Sequence, residues 1–286
     1  LFTKLKMINA MTVDFEFWYS GEPFSNYCTS VHDKNSDQVI EATMPLLHLF
    51  DKYDVRATFF VLGKTAEELP DLVKEIYERG HEIASHGYSH TILHKLNEEE
   101  FEAEIKKSVD LLNRITGERP IGFRAPSFSI DNSTKWAFNV LIKYNFKYDS
   151  SIFPYKTRLY GVPTAPLEPY KPSKEDVSKI DPDSPIVEFP LTVVNILGKN
   201  VPISGGYYFR ILPLWFIVGG IRKVNREGRP AVFYIHPWET YPATPKVLPF
   251  PQNVRIYHGI KSSLKRLEKL LQRFSFAPIK EVLQIE

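Results

Sequence analysis

Short apolar runs and longer amphipathic segments alternate along this chain, and this alternation limits the fold more than any other feature of the sequence. Residues 56–62 (RATFFVL) form an apolar run with the length of a buried strand, and Gly63 ends it. Residues 98–116 repeat apolar side chains at the spacing of one helix face, and Gly117 ends that segment. Strands that alternate with helices build parallel βαβ units, so the sequence predicts an α/β fold.

The same patterns predict the other elements. The predicted strands cover residues 6–14, 56–62, 81–85, 121–123, 147–152, 186–194 and 231–235. The predicted helices cover residues 39–50, 65–79, 98–116, 134–144, 213–226 and 258–274. Residues 154–185 are rich in proline and are predicted to form a long loop. Strands and helices alternate from end to end and no internal repeat is visible, so we expect one α/β domain over residues 7–286.

Composition limits the classes of partner. The chain carries 36 basic and 34 acidic side chains, a net charge of +2, whereas a nucleic-acid-binding protein is strongly basic. Hydrophobic residues make up 43% of the chain, which excludes wholesale disorder. Cys28 is the single cysteine, so an intrachain disulfide and a thiolate-rich metal site are both excluded. We therefore expect a folded protein with no nucleic acid partner.

Membrane and targeting signals are not visible in the sequence. No apolar run reaches the ~18 residues of a membrane-spanning helix, and residues 212–221, the most apolar stretch, are interpreted as a buried helix. The first residues lack the order of regions that marks a signal peptide. The default expectation is a cytoplasmic protein, with a processed leader left open. A membrane partner is not expected, and homo-oligomerisation is left open.

Polar side chains capable of chemistry follow five of the predicted strands. In parallel α/β folds the carboxyl ends of the strands carry the active site, so residues from distant parts of the chain are expected to meet at one edge. The residues at these strand ends are Asp14, Glu16, His86, Arg124, Asp149 and His236.

Two imidazoles and a carboxylate among these residues have the character of metal ligands. Asp14 and Glu16 are two residues apart, so in a continued strand both side chains point to one side. His86 and His90 are four residues apart in SHGYSH, and we expect this turn to enter a helix that places both imidazoles on one face. Two imidazoles and one carboxylate with open positions are typical of a hydrolytic metal site or a redox iron site. His94 extends the four-residue spacing.

The remaining strand-end residues have the properties of a base and an acid. If Glu16 is a ligand, Asp14 is free to accept a proton from a water held by the cation, and Arg124 in FRAPSF is the candidate that keeps it ionised. His236 is followed by Pro237, which ends the strand and fixes the imidazole where it can protonate a leaving nitrogen. The alternatives are a surface salt bridge for Arg124 and a packed rim position for the histidine. The other histidines are interpreted as structural or solvated: His32, His48, His81 and His258.

Five motifs together resemble those of a known family. TVDFE, SHGYSH, RAPSF, YDSSIFP and YIHPWE occur in the order and spacing of the polysaccharide deacetylase family, the NodB-homology group or carbohydrate esterase family 4. The resemblance covers about residues 7–240, and HPWE together with SGGYYFRILP resembles the exopolysaccharide-associated subgroup. It implies a distorted (β/α) barrel with fewer than eight parallel strands. It also implies a hydrolase that uses a divalent metal, most often Zn²⁺ with Co²⁺ as the alternative, to remove N- or O-acetyl groups from a glycan or polysaccharide.

The resemblance also implies a role for each matching residue. Asp14 would be the general base that takes a proton from a metal-held water, and His236 the general acid. The implied metal ligands are Glu16, His86 and His90. Arg124 would tune Asp14, and the backbone N–H of Ser127 would help to hold the oxyanion.

The sequence departs from the family pattern in ways that leave one partner open. The usual adjacent Asp-Asp pair is replaced by Asp-Phe-Glu, which makes Glu16 a less usual ligand. The fourth motif usually ends in Asp-Trp, and its Asp pairs with the catalytic histidine, but Ile152 and Phe153 occupy those places. The partner of the histidine is therefore open between Asp149 and Glu239.

Aromatic residues that flank the motifs are candidates for substrate binding. Trp18, Tyr207, Tyr208 and Trp238 have rings that could stack on sugars, although aromatic residues near strand ends are as often part of the core. Asp149 is a further candidate in the substrate site. Two other functions remain open: a hydrolase of a cyclic amide or imide, allantoinase- or imidase-like, on the same scaffold, and a non-catalytic glycan-binding protein. An acetylated glycan is the expected partner.

Overall fold

A computed structural model describes residues 7–21, residue 24 and residues 36–285. Cys28 and His32 lie outside the described residues. The strands are β1 (Ile8–Phe15), β2 (Thr58–Val61), β3 (Glu82–Ser85), β4 (Gly122–Phe123), β5 (Tyr148–Asp149), β6 (Val187–Glu188), β7 (Val193–Ile196), β8 (Lys199–Pro202), β9 (Val232–Ile235) and β10 (Ser275–Ala277). The helices are α1 (Ser36–Lys52), α2 (Gly63–Glu68), α3 (Pro70–Glu78), α4 (Glu98–Thr116), α5 (Ala137–Lys143), α6 (Gly206–Ile211), α7 (Leu214–Arg226), α8 (Gln252–Tyr257), α9 (Ile260–Leu271) and α10 (Ile279–Val282).

Parallel strands form the wall of an incomplete barrel. Its seven strands run in the order β9, β1, β2, β3, β4, β5 and β6, and every pairing between them is parallel. The short β10 adds in parallel to the beginning of β1. The two ends of this wall are β9 and β6. Here the Val232 N–H of β9 donates over 2.7 Å to the hydroxyl of Thr192, which follows β6 in the chain. The barrel therefore has fewer than eight wall strands, as the resemblance implied.

Helices cover the outer face of this wall and bury its apolar side chains. Helices α1, α7 and α9 pack with β1, β2 and β9 around one core cluster, and α4 and α5 pack over β4 around a second. Helix α4 begins at a capping box in which the Asn97 side chain accepts the Glu100 N–H and the Glu100 carboxylate accepts the Asn97 N–H. It ends at Gly117, whose φ of 81° lies in the left-handed region. These local signals are why α4 has the predicted bounds.

Prolines explain two differences from the predicted elements. The predicted helix over residues 65–79 is divided into α2 and α3, because Pro70 cannot donate a helical hydrogen bond and instead occupies the first turn of α3. The predicted strand over residues 186–194 is likewise divided at Pro190 into β6 and β7. After this break the chain forms an antiparallel hairpin of β7 and β8, which the pattern of parallel units did not predict.

Residues 154–185 form no strand and no helix, as predicted for a loop. Isolated β-bridges join Pro172 to Ile180 within this segment and Tyr170 to Glu188 of β6.

Over the described residues, we find no helix with both the length and the apolar character needed to cross a bilayer.

His81, the residue just before β3, makes the stability of the fold depend on pH. Its ring is buried against Phe50 and Phe59, and its Nδ1 accepts the Ala57 N–H over 3.1 Å. Burial disfavours the charged imidazole and lowers its pKa to about 4.

We predict that this histidine weakens the fold between about pH 6.5 and about pH 4. In the unfolded chain the imidazole of this histidine binds its proton near pH 6.5, whereas in the folded chain it does so only near pH 4. Between these two values the free energy of unfolding therefore falls by up to about 1.4 kcal/mol for each unit by which the pH is lowered. His81→Asn keeps an acceptor for the Ala57 N–H but does not titrate, and it should reduce this slope in urea unfolding. His48→Asn, at an exposed position, is the control. A wild-type slope in His81→Asn would contradict the prediction.

Candidate functional site

The register of the sheet brings the predicted residues to one edge. Phe15 pairs with Val61, Val61 with Ser85, and Ser85 with Phe123, so the residues that follow these positions lie side by side. On the other side of β1, Val13 pairs with Ile235. The residues immediately beyond these pairs include Asp14, Glu16, His86, Arg124 and His236, which converge at the carboxyl ends of the strands.

Glu16, His86 and His90 form a compact cluster of ligand atoms. One ligand atom from each lies within 4.8 Å of the other two, and Glu16 Oε2 is 2.9 Å from His90 Nε2 and 3.9 Å from His86 Nε2. All three side chains are buried, yet Glu16 Oε2 has no hydrogen-bond partner of good geometry. A buried carboxylate oxygen that faces two imidazole nitrogens without a hydrogen bond fits a divalent cation of the zinc class.

The protonation of the cluster follows from its geometry. His86 Nδ1 donates to the Arg124 carbonyl over 2.8 Å, which leaves Nε2 as the nitrogen that faces Glu16. Burial lowers the pKa of His86 to about 4. For Glu16, burial alone would raise the pKa, but the neighbouring imidazoles, His90 first, outweigh it and lower the value to about 2. An ionised carboxylate and a neutral imidazole are the states that bind a cation.

The expected helix after His86 was wrong. Residues 86–92 contain no helix, and His90 reaches the cluster with a φ of 62°, in the left-handed region. Glu104 on α4 holds this turn, because its carboxylate accepts the N–H groups of Tyr88 (3.1 Å) and Ser89 (2.7 Å). The spacing of the two histidines thus brings them together through a loop rather than a helix face.

Arg124 and Asp14 form a buried ion pair. Arg124 Nη1 lies 2.6 Å from Asp14 Oδ1 and also donates to the Thr12 hydroxyl over 2.9 Å. The other guanidinium nitrogens donate to the Ser150 carbonyl (3.0 Å) and hydroxyl (2.9 Å). The guanidinium carbon is 4.1 Å from the ring centre of Phe60, and the whole side chain is 0% exposed. The alternative of a surface salt bridge is therefore excluded.

His236 faces this pair and the ligand cluster. Its Nε2 lies 3.9 Å from Asp14 Oδ2 and 3.6 Å from Glu16 Oε1, and its side chain is 20% exposed. Its Nδ1 contacts Glu239 Oε2 at 2.8 Å. Burial would lower the pKa of His236, but the carboxylates, Glu239 first, outweigh it and raise the value to about 9. In Glu239 burial is opposed by Arg210 and the imidazole, which lower its pKa to about 2.

Of the two candidate partners of His236, the structure places Glu239 there. Asp149 is fully buried elsewhere, where one oxygen accepts the Ser151 hydroxyl over 2.5 Å, and burial next to Glu188 raises its pKa. Because it is 0% exposed, its assignment to the substrate site was wrong.

The aromatic candidates differ in burial, from a fully buried ring to half-buried rings. Trp18 is 0% exposed and packs edge-on against Phe24, with ring centres 5.4 Å apart, so its assignment as a sugar-stacking residue was wrong. Trp238 is 8% exposed and lies 5.7 Å from the His236 ring. Tyr207 and Tyr208 are half-buried next to each other. These last three rings keep their place as candidates for substrate contact.

Other predicted residues lie beside or outside the cluster. Ser127 lies in the turn Pro126–Phe128 that follows β4, with a φ of 52°. His94 pairs with Asp131 on the surface, 3.0 Å away, rather than with the other two histidines of its series. His48 and His258 are exposed.

Sequence reasoning missed Glu104 and Arg210. Arg210 Nε and Nη2 donate to Glu239 Oε1 over 3.1 and 2.9 Å, and its side chain is buried. A signal for Arg210 was present, because it is the only charged residue within residues 203–218 and a lone charge in an apolar stretch needs a buried partner. Glu104 carries no such signal, since α4 has several acidic residues with similar neighbours.

Comparison with known proteins gives matches to most of the chain. Residues 33–147 match the family described as Polysaccharide deacetylase, and residues 150–284 match a Domain of unknown function, DUF3473. A peptidoglycan-N-acetylglucosamine deacetylase of Bacillus cereus is 42% identical over 99 residues, which are 34% of this chain and 36% of the relative. A peptidoglycan deacetylase of Helicobacter pylori is 37% identical over 119 residues, 40% of each chain. The chain thus spans less than half the length of these relatives.

Solved structures share the fold. A Mycobacterium smegmatis protein described as a polysaccharide deacetylase superposes with a TM-score of 0.59 at 18% identity, covering 96% of this chain and 90% of that one. The Bc1960 peptidoglycan N-acetylglucosamine deacetylase superposes with a TM-score of 0.53 at 19% identity, covering 99% and 90%. The predicted fold, a parallel (β/α) barrel with fewer than eight strands, is confirmed.

We predict that the cluster binds Zn²⁺ and that His90→Ala lowers the affinity by at least ~100-fold, because one of three protein ligands is lost. Calorimetric titration of chelator-treated protein with Zn²⁺ measures the effect. His94→Ala is the matched control, since it removes a histidine four residues away that faces Asp131 instead. Equal affinities for the two variants would contradict the assignment of the cluster.

Proposed function

We propose that this chain is a metal-dependent hydrolase that removes N-acetyl groups, or O-acetyl groups, from an acetylated glycan, because residues 33–147 match the polysaccharide deacetylase family. The observation that carries the proposal is the convergence of three ligand atoms within 4.8 Å beside the Asp14–Arg124 ion pair and His236. The relatives support the class of substrate, since those named above are described as deacetylases of peptidoglycan.

Glu16, His86 and His90 would hold the metal, and the donor set fits Zn²⁺ with Co²⁺ as the alternative. When bound, such a cation polarises the acetyl carbonyl and lowers the pKa of water. The fixed orientation of His86, which donates to the Arg124 carbonyl, keeps its Nε2 directed at the site.

Asp14 is the residue that accepts the proton of the attacking water. Its Oδ1 is committed to Arg124, so Oδ2 is the oxygen directed at His236 and the ligand cluster. The buried guanidinium restricts the rotation of this carboxylate. A positioned base of this kind contributes about 10²- to 10⁴-fold to the rate.

His236 donates the proton that the leaving amine needs. Its pKa, raised to about 9, keeps the imidazole protonated at neutral pH, and a cation held by Glu16 would move this value back towards neutrality. The turn at Ser127 supplies the backbone N–H that we assign to the oxyanion. Tyr207, Tyr208 and Trp238 are the rings that we assign to sugar contacts.

We further propose that residues 7–286 form one catalytic domain. Strand β5 lies between the two matched segments, which cover residues 33–147 and 150–284. Strand β6 belongs to the second segment and pairs with β5 in the same sheet. His236 belongs to the second matched segment, whereas both ligand histidines belong to the first. Neither segment alone contains the metal ligands and the acid together.

We predict that Asp14→Asn lowers kcat by about 10²- to 10⁴-fold while the variant still binds Zn²⁺, because the base is lost and the ligands remain. Activity is measured as acetate released from N-acetylglucosamine oligomers by the metal-loaded protein. Circular dichroism checks that the fold survives the loss of a charge opposite Arg124. Full turnover with verified metal content would remove the base assignment.

We also predict that the metal-loaded wild type releases acetate from acetylated glycan oligomers and does not open cyclic imides. Acetate is measured in one assay and ring opening in the other, at equal enzyme concentrations. The chelator-treated protein serves as the control and should regain activity when Zn²⁺ is restored. Ring opening without acetate release would favour the alternative function of a cyclic amide hydrolase.

A further inference from the structure

We infer that Glu239 and Arg210 form a positioning pair for His236, and that the glycines of the segment SGGYYFR leave the space that this pair occupies. The inference rests on the proposed function, because it assigns the acid of that reaction its supporting residues. It is carried by the hydrogen bonds of the pair, its burial and the close approach of two glycines.

Both oxygens of Glu239 are committed to functional partners. Oε2 accepts His236 Nδ1 over 2.8 Å and the His236 backbone N–H over 3.1 Å. Oε1 accepts two guanidinium nitrogens of Arg210, over 3.1 and 2.9 Å. The carboxylate is therefore fixed from both sides, and through it the ring plane of the imidazole is fixed as well.

Arg210 is itself anchored at every nitrogen. Its Nη1 donates to the carbonyl of Ile256 (2.6 Å), in the last turn of α8, and to the carbonyl of His258 (2.7 Å), just after that helix. Both Arg210 and Glu239 are 2% exposed. An arginine with all three nitrogens bonded in a buried position cannot rotate away from the carboxylate without leaving a charge unpaired.

Two glycines make room for this arrangement. A Cβ atom at Gly206 would overlap the Glu239 carboxylate, and one at Gly205 would overlap the ring of Tyr234. Gly205 also has a φ of 96°, in the region that favours glycine. The glycine pair thus lets the beginning of α6 approach the carboxylate, and Arg210 extends from the same helix to reach it.

A purely stabilising role does not explain these contacts. A buried ion pair contributes little net stability, because desolvation of the two charges offsets their attraction. Here one oxygen of the carboxylate is used to hold Nδ1 of a ring whose Nε2 faces Asp14 and Glu16. Tying Nδ1 to a carboxylate leaves Nε2 as the nitrogen presented to substrate, which is what proton donation to a leaving group requires.

The test compares two substrates that differ in their need for an acid. An N-acetylglucosamine oligomer has an amine leaving group that must be protonated, whereas para-nitrophenyl acetate releases a stable phenolate that needs no proton. The metal-loaded full chain and its variants are assayed with both. The wild type must release acetate from the oligomer, and its failure to do so would refute the proposed function rather than this inference.

Glu239→Gln should lower kcat for the oligomer by about 10- to 100-fold with little change in KM, the range typical of a lost partner that orients a functional imidazole. Its activity on para-nitrophenyl acetate should change far less. Arg210→Lys should give a smaller loss with the same substrate dependence, because the charge is kept and the planar fork is lost. Gly206→Ala should reproduce the pattern by displacing the carboxylate, and it decides the question if Glu239→Gln does not fold.

The matched control is Arg229→Lys, which alters another buried arginine that pairs with Glu227 and the Leu167 carbonyl away from the site. It should leave the ratio of the two activities unchanged. Equal losses on both substrates in Glu239→Gln and Gly206→Ala, or no loss on the oligomer, would overturn the positioning role.

Discussion

The buried ion pair between Arg124 and Asp14 is the interaction on which the rest of the site depends. Its guanidinium joins the ends of three strands, because it bonds Asp14 and Thr12 on β1 and Ser150 just beyond β5 while it extends from the end of β4. The Arg124 carbonyl also accepts His86 Nδ1. A fully buried guanidinium is tolerated only when its donors are satisfied. The same bonds that satisfy it therefore orient the base and one ligand imidazole.

Three carboxylates at this edge of the barrel differ in the groups that they face: two face arginines and the third faces imidazoles. Arg124 balances Asp14, and Arg210 balances Glu239, each within a buried environment. Glu16 has imidazoles for neighbours and an oxygen without a hydrogen bond. A buried carboxylate that lacks a permanent cation is the group that gains most from a divalent ion. The ligand cluster is thus the part of this edge whose carboxylate faces imidazoles instead of an arginine, the donor set that a zinc-class cation uses.

Much of the fold follows from local signals in the sequence, and the site follows in part. The apolar runs of β1, β2 and β9 and the capped helix α4 carry their own start and stop residues, so their positions were predictable. The hairpin of β7 and β8 and the left-handed conformation of His90 depend on contacts with distant residues, which periodicity does not report. The burial of Trp18 has the same origin, since an aromatic near a strand end has the same sequence signature inside and outside the core.

The choice between Asp149 and Glu239 as the partner of His236 shows what the sequence could not resolve. Both carboxylates are buried, but Glu239 bonds directly to a guanidinium, which lowers its pKa and keeps it charged. Asp149 lies beside Glu188. Burial raises the pKa of Asp149, and burial together with the neighbouring Asp149 raises the pKa of Glu188. A carboxyl group whose pKa is raised is a poorer partner for an imidazolium than a carboxylate that stays charged. The cation that decides the matter, Arg210, is 29 positions away along the chain from Glu239, so its proximity becomes visible only once α6 and β9 are packed together.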